Sequence, residues 1–371
     1  MAAFLKTERL LLPAVDETNC PQFGLYVFGY PAEIGGASTE LWHTLRLWRL
    51  MGLSVSCVVS APPPARWQGK VNKLGVRTLI WRHSVLDEYP EIRGRTAIAF
   101  CHREFLQLAP VLRQAGCRLL WAGCMNWLFP AELRFYRQHG PMDGYLFQSR
   151  FQLRTLLPQL AAWGVDRTRC HHIPGAFFVD EMPFCFLPRR PDEPLVVGRL
   201  CRPDPAKWPQ ELWTTLAQTR LALRCRLMGW SPRIAQHVGP PPPWAEVFPP
   251  GAIPAQQFYA SLHVLLGWGG SAIENWPRIA LEAMAAGVPI VAPASGGWPE
   301  MIDHGRTGLL FRTTAELVDC LRQLVDEELR LYLASQARRH VEEVLAPAQK
   351  LIPRWQTFLG VNNWRSLSDE S

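Results

Sequence analysis

Two glutamates with seven residues between them follow a glycine-rich stretch and are the best-placed residues of this sequence for chemistry. Glu274 and Glu282 lie within residues 267–299, which begin Gly-Trp-Gly-Gly-Ser and end Gly-Gly-Trp-Pro. The apolar run at residues 263–266 has the pattern of a buried strand, and glycines after a strand permit a tight loop. The pattern predicts two carboxylates on a loop and a helix that leave the end of a strand.

The helix of this unit is expected to begin at Pro277 and to end at Gly287. Proline suits a first helical position because its missing N–H has no partner within the helix, and glycine suits the position after a helix. The start of a helix attracts phosphate, and we predict anion-binding residues at Asn275, Trp276, Pro277, Arg278 and Ile279. Acids beside phosphate would repel it, so both glutamates are expected to face sugar hydroxyls, a ribose or a developing positive charge.

The order of motifs after Glu274 is more specific than the pair of glutamates. Glu282 is followed by Ala-Met-Ala-Ala-Gly-Val-Pro, by Gly-Gly-Trp-Pro-Glu, and by a glycine before Leu309. This order resembles the E-x7-E segment of the retaining, nucleotide-sugar-dependent glycosyltransferases of family four. The resemblance implies the GT-B fold, an α/β architecture of two doubly wound Rossmann-like domains that face each other across a cleft. It also implies that Glu274 holds donor-sugar hydroxyls and favours an oxocarbenium-like centre, while Glu282 binds the ribose. An ordinary strand-to-helix unit with two solvated acids is the alternative interpretation.

Two cations, Arg199 and Lys207, follow another predicted strand that ends at Gly198. A planar arginine and a compact lysine charge together suit phosphate recognition. The resembled family has a Gly-Arg pair and a later lysine on the donor diphosphate, which implies this role for Arg199 and Lys207. Solvated loop cations are the alternative interpretation.

The first half of the chain alternates short apolar runs with helical patterns, which favours parallel strands covered on both faces. Strands are predicted at residues 25–28, 54–59, 78–81, 97–101, 119–122, 145–148 and 171–173, and helices at 39–51, 104–115 and 150–160. Gly35 and Gly36 follow the first strand and permit close backbone approach to a ligand, and Ser38 or Thr39 can cap the next helix. In the resembled family this loop lies near the donor phosphates, which implies donor binding by Gly35 and Gly36.

His102 follows the strand predicted at residues 97–101, at the edge where doubly wound sheets bind ligands. There it could orient an acceptor hydroxyl or take its proton, although a lone histidine is more often structural. One strand later the resembled family usually has a histidine that faces the donor sugar, whereas this chain has Gly-Cys-Met-Asn around Cys124. Asn126 could supply a hydrogen bond, but neither side chain replaces an imidazole base.

Composition bounds the remaining possibilities. No apolar run is long enough to cross a bilayer, and residues 1–21 lack the apolar core of a secretory signal. Ten scattered cysteines without metal-site spacing are typical of reduced thiols in a cytoplasmic protein. A net charge of +7 suits an anionic ligand, while the absence of a dense basic run argues against nucleic acid. No Asp-x-Asp sequence occurs, so we expect no metal and no other cofactor, with arginine and lysine on the diphosphate instead.

We therefore predict an acceptor-side domain at residues 1–185, a nucleotide-sugar-binding domain at 186–350, and a C-terminal helix or tail at 351–371 that returns to the first domain. The predicted activity is sugar transfer, with retention, from a UDP- or GDP-sugar to a hydroxyl of a glycan, lipid or small molecule. Peripheral membrane contact is expected if the acceptor is a lipid. The alternatives are a sugar-nucleotide epimerase or hydrolase of the same fold, and a non-catalytic protein that binds a nucleotide or a partner.

Overall fold

The structure is a computed structural model that describes residues 24–32 and 35–361. The tail predicted at residues 1–21 lies outside the described residues. Two parallel sheets organise the described part of the chain, one in each half.

The first sheet has seven strands: β1 (Gly24–Phe28), β2 (Ser54–Val59), β3 (Arg77–Ile80), β4 (Thr96–Phe100), β5 (Arg118–Gly123), β6 (Gly144–Phe147) and β7 (Cys170–His172). They pair in parallel in the order β3-β2-β1-β4-β5-β6-β7. Apolar side chains cover both faces, with Phe28 and Trp121 in one buried cluster and Leu25 and Val27 in the other. Burial on both faces explains why these strands appear in the sequence as continuous apolar runs.

The helices of this half are α1 (Gly36–Leu50), α2 (Ala65–Lys73), α3 (Val85–Glu88), α4 (Arg103–Gln114), α5 (Pro130–His139) and α6 (Arg150–Ala162). Short 3-10 turns occupy Pro90–Ile92, Arg167–Arg169 and Val179–Glu181. Helix α1 buries Leu41, Leu45 and Trp48 against the sheet, and its Arg46 forms an ion pair with Asp180. The apolar side chains of α1 therefore pack against the sheet.

The second sheet has six strands: β8 (Leu195–Leu200), β9 (Leu223–Met228), β10 (Ala245–Phe248), β11 (Val264–Leu266), β12 (Ile290–Pro293) and β13 (Leu309–Phe311). They pair in parallel in the order β10-β9-β8-β11-β12-β13. The helices are α7 (Leu212–Gln218), α8 (Pro232–Val238), α9 (Ala255–Tyr259), α10 (Arg278–Ala286), α11 (Trp298–Met301), α12 (Thr314–Gln323), α13 (Glu327–His340) and α14 (Ala348–Leu359). A 3-10 turn occupies Pro205–Lys207, and a π turn occupies Val341–Leu345.

Helix α14 packs on the first sheet, although it follows the second sheet in the chain. Trp355 meets Trp48 edge to face, with ring centroids 5.0 Å apart, and Phe358 joins the same buried cluster. Arg118 at the start of β5 donates hydrogen bonds to the carbonyls of Phe358 and Leu359. The two halves are thus joined twice, by the linker before β8 and by this returning helix. The domain boundaries at residues 185 and 350 stay predictions.

Two helix starts differ from the sequence prediction. Helix α1 begins at Gly36 with Gly35 as its N-cap, so Thr39 lies inside the first turn and donates its hydroxyl to the Gly36 carbonyl instead of capping. Helix α10 begins at Arg278, because Pro277 is extended (ψ 114°) and occupies the N-cap position. Neither helix start has a side-chain cap, so backbone N–H groups there stay free for a ligand.

Both sheets reverse their strand order once, and doubly wound sheets bind ligands at such a point, outside the carboxyl ends of the strands. The reversal lies between β1 and β4 in the first sheet and between β8 and β11 in the second. Gly35 and Gly36 follow β1, and His102 follows β4. Arg199 lies near the end of β8, Lys207 lies in the turn after β8, and Glu274 follows β11. The topology therefore brings nearly all of the predicted site residues to these two positions.

Candidate active site

An ion pair joins the two loops at the reversal point of the second sheet. Lys207, at the end of the turn after β8, places Nζ 2.5 Å from Oε1 of Glu274 in the loop after β11. Both side chains keep some contact with solvent, at 19% and 27% exposure. A cation suited to phosphate and a carboxylate suited to sugar hydroxyls therefore stand side by side, facing the space between the sheets.

Close backbone packing explains the glycines around this pair. A Cβ on Gly270 would lie 2.6 Å from the Trp208 carbonyl oxygen, and one on Gly297 would lie 1.6 Å from the Asn275 carbonyl oxygen. Any larger residue would push these loops apart, so the glycines of the Gly-Gly-Ser and Gly-Gly-Trp-Pro motifs are needed to hold the Lys207 and Glu274 loops in place.

Arg199 is buried and bound by protein groups. Arg199 is 3% exposed. Its guanidinium donates hydrogen bonds to the carbonyls of Leu266 and Lys207. It also stacks over the Trp208 ring, with Cζ 5.2 Å from the ring centroid. These contacts fix the loop that carries Lys207. The contact of Arg199 with the diphosphate, which the family resemblance implies, stays a prediction.

The starts of α1 and α10 lie next to each other across the cleft. A Cβ on Gly36 would lie 3.5 Å from Cγ of Arg278, the first residue of α10. Pro277 has no N–H to offer an anion, and Trp276 is buried in the apolar core of the second half, so the free backbone donors of this start are the N–H groups of Arg278 and Ile279. Two helix N-termini facing one space form a favourable environment for a diphosphate.

The Arg278 guanidinium is buried between the two halves. It donates from Nη1 to the Ala176 carbonyl at 2.7 Å and stacks over Phe177 at 5.2 Å. Its Nε and Nη2 are buried and donate to no partner among the described residues. Sequence reasoning placed Arg278 at the helix start through its backbone alone, and the structure adds a buried cation at that position.

Glu282 lies one turn into α10 and accepts a hydrogen bond of 2.8 Å from the Tyr259 hydroxyl. Burial raises the pKa of the Glu282 carboxyl, while the Tyr259 hydrogen bond and the nearby Arg278 charge oppose the shift. The carboxyl keeps its other oxygen for a ligand, which is compatible with the predicted contact to a ribose.

Asn275, the neighbour of Glu274, is hydrogen-bonded to the first half of the chain. Its Nδ2 donates to Oε1 of Gln148 at 2.9 Å, and its Oδ1 accepts from the Ser149 hydroxyl at 3.2 Å. Gln148 in turn donates to the carboxylate of Glu40 on α1. We call this chain of Glu40, Gln148, Ser149 and Asn275 the cross-cleft network. The side-chain amide of Asn275 thus connects the two halves, and its predicted role in donor binding stays a prediction.

Glu40 was missed by sequence reasoning. It is 1% exposed, and its carboxylate leaves no room for a Cβ on Gly175, which would lie 2.9 Å from the Glu40 Cδ. Burial raises the pKa of Glu40 to about 7, and the Arg278 charge opposes that shift. The signal available in the sequence was a glutamate on the apolar face of a predicted helix, one residue before Leu41, where a charged residue needs a partner.

His102 and Cys124 lie at the edge of the first sheet. His102 occupies the N-cap position of α4 without a side-chain capping hydrogen bond, and its ring lies 3.6 Å from the position of a Cβ on Gly29. Burial lowers the pKa of the His102 imidazole, which favours the neutral form that a proton acceptor needs. The Cys124 thiol, at the place of the absent histidine, has a raised pKa because of its contact with Cys101 and its burial. The neighbour of the His102 ring is Gly29, which directly follows β1 of the same sheet.

Residues 24–32 and 35–361 contain neither a candidate metal site nor a helix that could span a membrane. No group of three or more histidine, cysteine or acidic side chains there has the arrangement of a metal site. Within the same ranges, none of the helices combines the length and the apolar character that crossing a membrane requires.

Comparison of the sequence with known proteins finds similarity to glycosyltransferases. Residues 192–327 match the family described as "Glycosyl transferases group 1". An 88-residue stretch is 37% identical to N-acetyl-alpha-D-glucosaminyl L-malate synthase of Bacillus anthracis, covering 23% of each chain. The chain thus aligns with about a quarter of the length of this curated relative.

Solved structures match over most of the chain. HepE of Anabaena, in complex with UDP and glucose, superposes with a TM-score of 0.69 at 14% identity, covering 91% of this chain and 99% of that one. A glycosyltransferase from Rickettsia africae gives 0.66 at 11% identity, covering 92% and 99%. At such identities the likeness establishes the fold. The chain has the GT-B fold, and residues 192–327 of its second half match the glycosyl transferases group 1 domain.

Proposed function

We propose that this protein is a glycosyltransferase that moves a sugar from a nucleoside diphosphate sugar to an acceptor hydroxyl. The observation that carries the proposal is the Lys207–Glu274 ion pair in front of the α10 start, within the segment that matches the glycosyl transferases group 1 domain. The GT-B neighbour HepE holds UDP and glucose in its structure, which supports a nucleotide sugar as the donor.

The proposed chemistry breaks the bond between the anomeric carbon and the diphosphate and forms a bond from that carbon to the acceptor oxygen, with release of one proton. Negative charge grows on the departing diphosphate. Lys207, the free N–H groups of α10 and those of α1 at Gly36 would stabilise that charge without reorganisation. Glu274 would hold the sugar hydroxyls beside the reacting carbon, and Glu282 the ribose.

Retention at the anomeric carbon is part of the proposal and rests on the resemblance of the Glu274-to-Glu282 segment to the retaining family. We also propose a cytoplasmic location, independence from metal and other cofactors, and a UDP- or GDP-sugar as the donor. These proposals rest on the sequence. Proton NMR of the product formed from an α-configured donor decides the stereochemistry, since a β-linked product would exclude retention.

The donor site is tested by calorimetric titration of UDP, GDP, ADP and dTDP. We expect one nucleotide to bind the wild type, and Lys207→Ala to weaken its binding about a hundredfold, because a charge-assisted phosphate contact is lost. Lys73→Ala, on the exposed end of α2, is the matched control and should bind like the wild type. If no nucleotide binds at millimolar concentration, the proposed function is wrong.

A non-catalytic role in nucleotide binding is the second candidate, and the thiol of Cys124 at the place of the usual histidine favours it. The two candidates differ in one measurement. A transferase consumes the donor when an acceptor is supplied, whereas a binding protein leaves it intact while still binding the nucleotide.

A further inference from the structure

Two large apolar side chains are exposed at the cleft, one from each half of the molecule. Trp127, in the loop after β5, is 50% exposed, and Ile273, in the loop before α10, is 57% exposed. Between them the Asn126 Nδ2 donates to the Ile273 carbonyl at 2.7 Å, so the two loops touch. We call Trp127 and Ile273 together the cleft lip.

The cleft lip lies beside the proposed reacting groups. Ile273 directly precedes Glu274, whose carboxylate contacts Lys207. The neighbouring Asn275 amide donates to the Cys124 carbonyl at 3.4 Å, which ties the same two loops together a second time. A molecule bound against the cleft lip is therefore adjacent to the carboxylate that we assign to the donor sugar.

The Trp127 ring is held in place rather than free. It meets Phe129 edge to face, with the ring planes at 73° and the centroids 6.1 Å apart. Such contacts stabilise an aromatic pair and leave the ring able to receive a flat apolar surface. A single exposed apolar residue needs no explanation by itself. Trp127 is a candidate ligand contact because its loop is joined to the loop that carries Glu274.

The size of the cleft lip indicates what kind of ligand fits. Half of a tryptophan side chain exposes on the order of 100 Å², and the isoleucine adds a comparable area. A membrane-binding or protein-binding surface spans several hundred Å² of contiguous apolar area. The cleft lip matches the apolar face of one sugar ring instead. Two polar residues lie near Ile273 in the chain, the exposed Ser271 and the partly exposed Glu274, and such side chains suit the hydroxyls of a sugar ring.

We propose that the cleft lip is an acceptor subsite in which the Trp127 ring stacks on a pyranose ring of the acceptor, so that the acceptor is itself a glycoside. This inference rests on the proposed function. Ile273 supports the edge of the bound ring, and the acceptor hydroxyl points toward the Glu274 side of the cleft.

The test is saturation-transfer NMR on the full chain with UDP present and with methyl glycopyranosides as probes. For the wild type we expect saturation transfer to the ring C–H protons of at least one glycoside. That signal should be at least fivefold weaker for Trp127→Ala and intermediate for Trp127→Phe. Tyr332→Ala removes an aromatic residue of similar exposure (48%) on α13 and is the matched control, which should give the wild-type signal.

Calorimetry with UDP on the same samples separates this inference from the proposed function. Failure of the wild type to bind UDP or any other nucleotide overturns the proposed function. Nucleotide binding without any transfer to glycosides, or an equal signal in wild type and Trp127→Ala, overturns the glycoside subsite alone. A Trp127-dependent signal from octanol but not from glycosides also overturns it, and identifies a lipid acceptor.

Discussion

The polar side chains at the carboxyl edges of the two sheets have opposite environments, partly exposed at one edge and buried at the other. At the second sheet, Lys207 and Glu274 form an ion pair that keeps contact with solvent. At the first sheet, Glu40, Gln148 and Ser149 are buried and satisfy one another and Asn275. The contrast shows that one edge keeps its charges available for a ligand, while the other uses its polar groups to hold the two halves together.

The largest effect is expected from the exposed edge. Glu274→Gln removes the carboxylate charge beside the reacting carbon and keeps the shape of the side chain. We expect kcat to fall about a thousandfold, or about 4 kcal/mol, with little change in nucleotide affinity, because the charge matters most in the transition state. Steady-state kinetics measures this split.

Glu246→Gln is the control for Glu274→Gln. Glu246 is also an acid of the second sheet, but it pairs with Arg224 and Arg226 on β9. Its substitution should leave kcat within about twofold of the wild type. If Glu274→Gln has the kcat of the wild type, Glu274 takes no part in the chemistry. The exposed edge would then be no more reactive than the buried one.

The buried edge predicts a pH dependence of stability instead. The pKa of Glu40 is about 7 in the folded protein and 4.5 in its ordinary state, so the unfolded chain ionises first as the pH rises. Wild-type stability therefore contains a contribution that is complete below pH 4.5 and is lost as the pH rises to 7. The loss amounts to about 3 kcal/mol.

Glu40→Gln should abolish this part of the pH profile, because glutamine does not ionise. Denaturant unfolding at pH 5 and pH 8 measures the difference between variant and wild type. Glu132, whose pKa burial also raises to about 7, is present in both proteins and cancels in that difference. Glu343→Gln, on an exposed acid, is the control. Parallel pH profiles for wild type and Glu40→Gln would show that Glu40 ionises freely.

The parts of this molecule that follow from local sequence were predictable. The strands at residues 54–59 and 119–122 appear as apolar runs because both faces of the sheet are covered, and the structure has them at Ser54–Val59 and Arg118–Gly123. The meeting of the β8 and β11 loops also follows from strand order, because the carboxyl ends of parallel strands share one edge. These patterns predict parallel sheets covered on both faces, while the GT-B fold was implied by the family resemblance of the Glu274-to-Glu282 segment.

The contacts that depend on packing between the halves were not predictable. In the sequence Arg199 and Arg278 are two similar cations near glycines. In the structure, Arg199 donates to carbonyls of its own half, whereas Arg278 donates to the Ala176 carbonyl of the first half. Glu40 and Gln148 are 108 residues apart and meet only in the folded chain. No local pattern encodes such a pair, because its stabilisation exists only after both halves are in place.

The link between the two edges is Asn275, and its substitution should have the smallest effect of the three. Asn275→Ala removes hydrogen bonds to Gln148 and Ser149 and leaves buried polar groups without partners, which costs about 2 kcal/mol of unfolding free energy. The loop of Glu274 also loses some of the contacts that hold it against the first half, so kcat should fall about tenfold while UDP affinity stays within about threefold.

Asn72→Ala, on the exposed side of α2, is the matched control and should change neither stability nor kcat. Denaturant unfolding and steady-state kinetics on the same preparations decide the outcome. If Asn275→Ala lowers stability but leaves kcat unchanged, the cross-cleft network only joins the halves. If kcat falls and Ser149→Ala reproduces part of the loss, the buried edge positions the carboxylate of the exposed one, and the two edges work as one site.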